Sequence, residues 1–230
     1  MTPQKPNRFR PCIQWAQLAV YAVVLALVAQ QGYADAVEAK PRFQIKDTAV
    51  YLDMDGEYVG LSRRGNEEIP DHYALADIIF ENPDIDTVFL TGKGGSAYNA
   101  ERMTRSIMRA RLEAVAHKEC LSACAVIFLG GVQRRLAKGG ILGFHRAGTD
   151  LSALAEYYDT AKHEKGWTNE FQFAEWNFQQ GQIHAKDMLR LALENGISPH
   201  VVLEMLEADN EDMWFPEEAE LVTLGVISLK

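Results

Sequence analysis

Three short stretches of the chain hold residue types that could together carry out acyl transfer. The first is Ser122, which follows polar sequence and precedes the apolar run 123–131. This pattern predicts that Ser122 begins a buried helix, where free backbone N–H groups and the positive end of the helix dipole favour an alkoxide or oxyanion. Serine is also a common helix N-cap. Both interpretations, nucleophile and cap, are open on this stretch alone.

The second and third stretches contain a glycine pair and a histidine. Gly94 and Gly95 follow the apolar segment 86–91 and precede a helical pattern. Their spacing matches no phosphate-binding motif, which leaves an oxyanion site or simple turn geometry. His145 follows the apolar segment 141–144, and it could act as a general base if its ring came within about 3 Å of the serine hydroxyl. A histidine at a strand end can equally serve the fold alone.

Strands and helices alternate along the chain, which predicts an α/β fold with a mainly parallel sheet. Strands are predicted at 49–52, 58–61, 86–91, 112–116, 134–137 and 141–144, the first two as a hairpin, with a loop at 62–68. Helices are predicted at 70–82, 97–111, from 122, at 150–194 with breaks near Gly166 and Gly181, and at 199–206. The tail 213–227 is predicted as strand, short helix, strand. In the helix at 70–82, Tyr73, Leu75, Ala76, Ile79 and Phe80 are predicted to face the core and His72 the surface.

Taken together, these features resemble the superfamily of the Clp protease proteolytic subunit and the crotonases, in particular its exported (periplasmic) bacterial branch. The motifs that carry the resemblance are residues 88–96, 120–125 and 143–145 and the tail 216–227. The resemblance implies a crotonase-like spiral of ββα units, assembled into rings or trimers. In its peptidase branch it implies Ser122 as nucleophile, His145 as general base, and an oxyanion hole at the Gly94-Gly95 turn and Ala123.

The chain departs from that family's pattern at two places. Gly92-Lys93 stands where the glycine pair usually follows Ser-Pro. Lys93 is therefore a candidate for binding an acidic substrate group or for a Ser-Lys dyad, or it is simply a solvated loop residue. The acid that orients the histidine is expected shortly before Pro216. Asp212 is the nearest match, with Asp209 and Glu211 as rivals.

Cys120 and Cys124 bracket the serine, and with Cys12 they are the three cysteines of the chain. In an oxidising compartment the pair could form a disulfide that holds the serine turn; the alternative is two small buried thiols. No second Cys or His pair has zinc-ligand spacing, so we expect neither a metal nor a cofactor.

Residues 1–36 are typical of a secretory signal peptide. Lys5, Arg8 and Arg10 precede the apolar run 18–29, and cleavage could follow Ala34 or Ala36. The run is shorter than the roughly 20 residues of a spanning helix, so an uncleaved membrane anchor is the alternative. Residues 37–230 are then predicted to be a single exported, periplasmic domain.

The charge of that domain narrows its partners. Residues 1–36 hold three of the 23 basic and one of the 32 acidic residues, so without them the formal net charge changes from −9 to −11. Such an acidic domain argues against nucleic acid or anionic lipid as a partner, and membrane contact is expected only through an uncleaved signal segment.

Aromatic residues crowd the helical segment 150–195. Trp167, Phe171, Ala174 and Phe178 recur at helical spacing, which predicts core packing. The segment also matches the handle helix through which members of the resembled family oligomerise, so a self-association surface and a homo-oligomer are expected.

The sequence therefore favours an exported serine hydrolase or peptidase that acts on a peptide or protein. Two alternatives stay open: a catalytically inactive envelope binding or scaffold protein of the same fold, and an acyl-thioester enzyme of the crotonase type. Export weakens the second alternative, because acyl-CoA substrates are cytosolic.

Overall fold

The computed structural model describes residues 42–55, 61–64, 67–148, 150–209 and 211–228. The predicted signal segment 1–36 lies outside these residues. Eight strands and seven helices are described, in the chain order that follows. They are β1 (Phe43–Lys46), β2 (Ala49–Asp53), β3 (Leu61–Arg64), β4 (Glu67–Pro70), α1 (Asp71–Glu81), β5 (Thr87–Gly92), α2 (Ala97–Ala110), β6 (Glu113–Leu121), α3 (Ala123–Phe128), β7 (Gln133–Leu136), β8 (Ile141–Gly143), α4 (Leu151–Lys165), α5 (Glu170–Glu194), α6 (His200–Glu207) and α7 (Glu218–Thr223).

Six of these strands form one sheet in the order β1-β2-β5-β6-β7, with β8 also paired to β6. All its pairs are parallel except β1 with β2. The predicted α/β class with a mainly parallel sheet is therefore confirmed. The nine-residue β6 has two parallel partners along one edge. Residues 113–116 pair with β7, and residues 119–121 pair with β8. This division brings β8 to the end of β6 that leads into Ser122.

Apolar residues of the sheet and of the helices that cover it form one core. Val50, Leu52, Val88 and Leu90 alternate with more exposed residues along β2 and β5 and are almost fully buried. All six residues of α3 are buried, because this short helix lies against α2 and the sheet strands. The serine turn is thus built on the most buried part of the molecule.

Several predicted elements were wrong in detail. Of the predicted strand 58–61, residues 58–60 lie outside the described residues. Leu61 begins β3, which pairs with β4, whereas the partners of 49–52 are β1 and β5. The predicted loop 62–68 consequently contains parts of β3 and β4. Trp214 forms an isolated bridge to Phe144, and no strand follows α7 among the described residues. Helix α5 runs through Gly181 without a break, whereas α4 does end at Gly166 in a left-handed conformation.

The inward face of α1 also differs from the prediction. Asp71, His72 and Leu75 are buried, while Tyr73 and Phe80 are 56% and 85% exposed. His72 Nδ1 lies 2.5 Å from Asn99 Oδ1, and this polar contact lets the histidine lie in the interior where the sequence predicted a surface position.

Candidate active site

Ser122 lies at the turn between β6 and α3. Its φ and ψ are 55° and −123°, a combination that costs a non-glycine residue about 1–3 kcal/mol. Its N–H donates to the carbonyl oxygen of Gly143 at 2.8 Å. The side chain makes no N-cap hydrogen bond, so the serine does not serve as the cap that the sequence left open.

The serine side chain points to His145 instead. Ser122 Oγ and His145 Nε2 are 2.6 Å apart. The pairing of β6 with β8 explains this contact, because Leu121 is in register with Gly143 and the two parallel chains leave the sheet side by side. The structure thus brings together two of the predicted site residues within hydrogen-bond distance.

Both neighbours of His145 are tied to the segment 208–214. Phe144 exchanges two backbone hydrogen bonds with Trp214, each of 2.9 Å, and the Arg146 N–H donates to the Ala208 carbonyl oxygen at 3.0 Å. The Phe144 and Trp214 rings also contact each other, with centroids 5.5 Å apart. The two ends of the segment that contains the predicted acids are therefore anchored beside the histidine.

Asp212 does not contact the ring. Its side chain is exposed, and His145 Nδ1 is buried without a hydrogen-bond partner in the described part of the chain. Asp209 Oδ1 accepts the backbone N–H groups of Glu211 and Asp212, at 3.0 and 2.9 Å. Asp209 Oδ2 lies 3.8 Å from Arg146 Nη2. The structure thus gives no carboxylate partner to the ring among the residues it describes.

The charge of Asp209 nevertheless acts near the ring. Hydrogen bonds from the backbone N–H groups of Asp212 and Glu211 lower the pKa of Asp209, and the charges of Arg146 and His145 lower it further. The Asp209 carboxylate is therefore held by two backbone N–H groups of the loop and by Arg146. Its negative charge attracts the positive charge of a protonated His145. The sequence placed Asp209 only among the rivals of Asp212.

The glycine turn packs directly against the serine. Gly94 and Gly95 have φ of 102° and 146°. A Cβ atom built on Gly94 would lie 2.7 Å from the Leu121 carbonyl oxygen and the Ser122 Cβ, and 2.8 Å from the Ala123 nitrogen. Only glycine allows this approach. Ala123 begins α3, and the first N–H groups of a helix have no partner within it.

Cys120 and Cys124 form a disulfide across this turn. Both residues are fully buried. The bond connects the next-to-last residue of β6 to the second residue of α3. Ser122 lies midway between the two cysteines in the sequence. Of the two interpretations of this pair, the structure has the disulfide.

An open cleft of about 680 Å³ lies in front of the serine. Besides Ser122, Ala123 and His145, its walls include Lys93, Gly95, Asp150, His184, Met205 and Met213. Lys93 is exposed, and the residue within hydrogen-bond distance of Ser122 Oγ is His145. Nothing in the sequence pattern pointed to His184 or the two methionines, since they come from distant segments that only the fold brings together.

Two further features of the described residues bear on the site. They contain no group of three or more His, Cys, Asp or Glu side chains that could hold a metal ion. Within the same residues no helix is long and apolar enough to cross a membrane.

Solved structures of known proteins match this chain. A ClpP1 mutant from Listeria monocytogenes matches at a TM-score of 0.46 and 11% identity, over 68% of this chain and 81% of its own. An enoyl-CoA hydratase from Streptomyces coelicolor matches at a TM-score of 0.42 and 13% identity, over 85% of this chain and 70% of its own. A membrane-bound stomatin-specific protease, in complex with a substrate peptide, matches at a TM-score of 0.43 and 16% identity, over 69% of this chain and 66% of its own.

These proteins belong to the Clp protease and crotonase-like superfamily that the sequence resembles. No protein-family model and no curated protein matches the chain. At such low identity the likeness concerns the fold, and what the cleft can do follows from its own geometry.

Proposed function

We propose that this chain is a serine hydrolase of the peptidase kind, with Ser122 as the nucleophile and His145 as the general base. The observation that carries the proposal is the 2.6 Å contact between Ser122 Oγ and His145 Nε2, made by a serine whose side chain does not cap its helix. A nucleophile and a base in hydrogen-bond reach, at the edge of an open cleft, are the minimum for this chemistry.

The proposed reaction proceeds in two acyl transfers. Ser122 Oγ attacks a substrate carbonyl carbon while its proton passes to His145 Nε2. The carbonyl oxygen gains the negative charge, and the backbone N–H groups of Gly95 and Ala123 are the proposed donors to it. His145 then gives its proton to the leaving amine or alcohol. Water, activated by the same nitrogen, releases the acyl group from Ser122.

A peptide or protein is the proposed substrate. The cleft volume of about 680 Å³ falls within the range typical of ligand sites, and its open shape suits a chain that continues beyond the site. The disulfide supports an exported, periplasmic location, because disulfides persist in oxidising compartments. Cleavage of a signal segment remains part of the proposal.

One observation favours the inactive alternative. His145 Nδ1 has no partner among the described residues, so nothing there fixes the tautomer whose Nε2 can accept the serine proton. Losing that control costs a serine protease about 10⁴ in kcat. The alternative is therefore a folded binding protein that keeps the Ser122–His145 contact without turnover.

We also propose that the chain self-associates through the arm formed by α4 and α5. On this arm Leu151, Phe171 and Phe178 are 80%, 85% and 67% exposed. Exposed phenylalanines close together on one arm are typical of an interface.

Turnover of a p-nitrophenyl ester and of an unstructured fluorogenic peptide tests the hydrolase against the binding protein. We expect Ser122→Ala to lower kcat/KM at least about a thousandfold. Ser96→Ala is the matched control, because Ser96 also lines the cleft but accepts the Asn99 N–H as the N-cap of α2. It should cost about 1 kcal/mol of stability with kcat/KM within a few-fold. Turnover that survives Ser122→Ala would contradict the proposal.

A further inference from the structure

We infer that the Cys120–Cys124 disulfide is a positioning device for Ser122, so that oxidation of this pair assembles the nucleophile. The inference rests on the proposed function for its consequence on activity. Its structural core, that the bond sets the geometry of the Ser122–His145 contact, stands independently of turnover.

The first step concerns the backbone of Ser122. Its φ of 55° and ψ of −123° lie in a region that a residue with a Cβ leaves unless its surroundings prevent it. A glycine at this position would adopt such a conformation without strain, but the residue is a serine. Something in its surroundings must therefore hold the turn.

The second step concerns what holds it. Two hydrogen bonds hold the backbone of Ser122. Its N–H donates to the Gly143 carbonyl oxygen at 2.8 Å, and its carbonyl oxygen accepts the Val126 N–H at 3.1 Å. Helix α3 has only six residues, too few to form a stable helix alone. The disulfide between Cys120 and Cys124 adds a second covalent link, beside the main chain through Ser122, between the end of β6 and the start of this short helix.

Reduction changes the space that the two buried cysteines need. Both cysteines are fully buried and closely surrounded by core residues, and two thiol sulfurs cannot approach each other as closely as two bonded sulfurs. Reduction therefore forces the end of β6 and the start of α3 apart. Because Ser122 lies between them, its Oγ moves away from His145 Nε2.

The chemistry of the switch is balanced. The two thiols pass two electrons and two protons to the disulfide of an oxidant, either a small-molecule disulfide or a dithiol–disulfide oxidoreductase, and the oxidant's disulfide becomes two thiols. Since both sulfurs are buried, the reaction must take place during folding, and a reductant cannot easily reverse it afterwards. A chain folded in a reducing compartment would react more slowly than a chain folded under oxidising conditions.

The test uses the full chain with Cys12→Ser, so that no other thiol reacts. The oxidised chain is compared with the Cys120→Ala/Cys124→Ala variant for modification by a fluorophosphonate. Releasing the strained serine should lower the maximal inactivation rate roughly five- to 150-fold, which corresponds to about 1–3 kcal/mol. The concentration for half-maximal rate should stay within about twofold, because most of the cleft walls, apart from Ser122 and Ala123, come from segments that the disulfide does not join.

Two measurements separate positioning from general stability. Arg134→Gln, which lies outside the cleft, lowers stability with the disulfide intact and should leave the inactivation rate within about twofold. The ¹⁵N resonance of His145 Nε2, assigned by its loss in His145→Gln, should shift between the oxidised chain and the double alanine variant. If the oxidised chain reacts with no fluorophosphonate, the proposed function fails, and the resonance still decides the inference.

An inactivation rate within twofold and an unchanged His145 resonance, in a folded double variant, would overturn the inference. If that variant unfolds, Cys120→Val/Cys124→Ala restores apolar volume on the strand and repeats the comparison. Unfolding of both variants would also overturn it, because the bond would then hold the whole domain and not the serine in particular.

Discussion

Ser122 keeps its unusual backbone conformation because Gly94 leaves room for it. The missing side chain of Gly94 faces the Leu121 carbonyl oxygen and the Ser122 Cβ, and even one carbon there would lie only 2.7 Å from each. Residue types alone predicted that the glycine pair and the serine belong together. They could not predict which glycine makes the close contact, because a strand-to-helix turn is compatible with several backbone paths.

Gly94→Ala should therefore displace the serine turn and lower kcat/KM by at least about tenfold, with a loss of stability of about 2–4 kcal/mol. The matched control is Gly139→Ala. Gly139 has a φ of 76° but no atom within 4 Å of an added Cβ, so it pays only for the backbone conformation, about 1 kcal/mol. Equal activity in the two variants, measured by ester hydrolysis, would show that the contact at Gly94 is unimportant.

Asp209 holds the loop beside His145 through its charge. Because its pKa is lowered in the folded state by the Asp212 and Glu211 N–H groups, the carboxylate stabilises the loop at pH values above its unfolded pKa. That contribution is lost as the pH falls through the lowered folded pKa. Because the folded pKa is lowered, we expect the amide resonances of Glu211 and Asp212 to shift only at pH values below the usual pKa of an aspartate, about 4.

Asp209→Asn keeps an acceptor oxygen but has no charge to titrate, so the same resonances should stay constant over that pH range. Glu211→Gln is the control that should preserve the transition, because its side chain makes no hydrogen bond to these amides in the structure. A transition that survives in Asp209→Asn would assign it to another carboxylate.

At the scale of elements, β6 explains why two distant residues meet. Its first half pairs with β7 and its last three residues with β8, so Ser122 and His145 leave adjacent strands. The sequence pattern predicted strands at 112–116, 134–137 and 141–144, but it did not predict that β6 continues to Leu121, because residues 117–119 are polar. It missed that 61–64 pairs with β4, since alternation shows which face is buried and not which strand lies alongside.

The C-terminal segment is joined to the sheet by one buried arginine. Arg134 on β7 donates to the carbonyl oxygens of Val226, Gly131, Asn195 and Gly225 at 2.5–3.1 Å. Burial lowers the pKa of its guanidinium, yet no sequence pattern marked this residue, because its acceptors are backbone atoms far along the chain.

Arg134→Gln should lower the free energy of unfolding by about 3 kcal/mol, since hydrogen bonds to a charged group contribute about 1.5–3 kcal/mol each and several are lost. Arg135→Gln is the neighbouring control. Arg135 forms a partly exposed ion pair with Glu113, which is worth less than about 1 kcal/mol. Urea denaturation measures both, and a similar loss in the two variants would contradict the role of Arg134.

At the scale of the whole molecule, the arm of α4 and α5 is the part on which the proposed self-association depends. Rings of Tyr157, Trp167, Phe173 and Trp176 pack together with centroids 5.0–6.4 Å apart. The predicted core packing of Phe171, Ala174 and Phe178 is wrong, because all three are exposed. The helical spacing did identify a common face, but it could not show that this face lies outside the core.

Phe171→Ser/Phe178→Ser should therefore reduce the molar mass measured by light scattering relative to the unchanged chain, with the helical circular dichroism retained. Gln179→Ser/Gln182→Ser is the control on the same helix, at exposed polar positions. A molar mass equal to one chain for the unchanged protein, or one unaffected by losing both phenylalanines, would refute self-association through this arm.

The central claim is that Ser122 is a nucleophile activated by His145. Its most direct measurement is the rate at which a fluorophosphonate modifies the chain, with the modified residue located by mass spectrometry. We expect modification at Ser122 and a rate at least about a hundredfold lower in His145→Gln, the usual contribution of a general base. No modification of the unchanged chain, or an equal rate in His145→Gln, would contradict it.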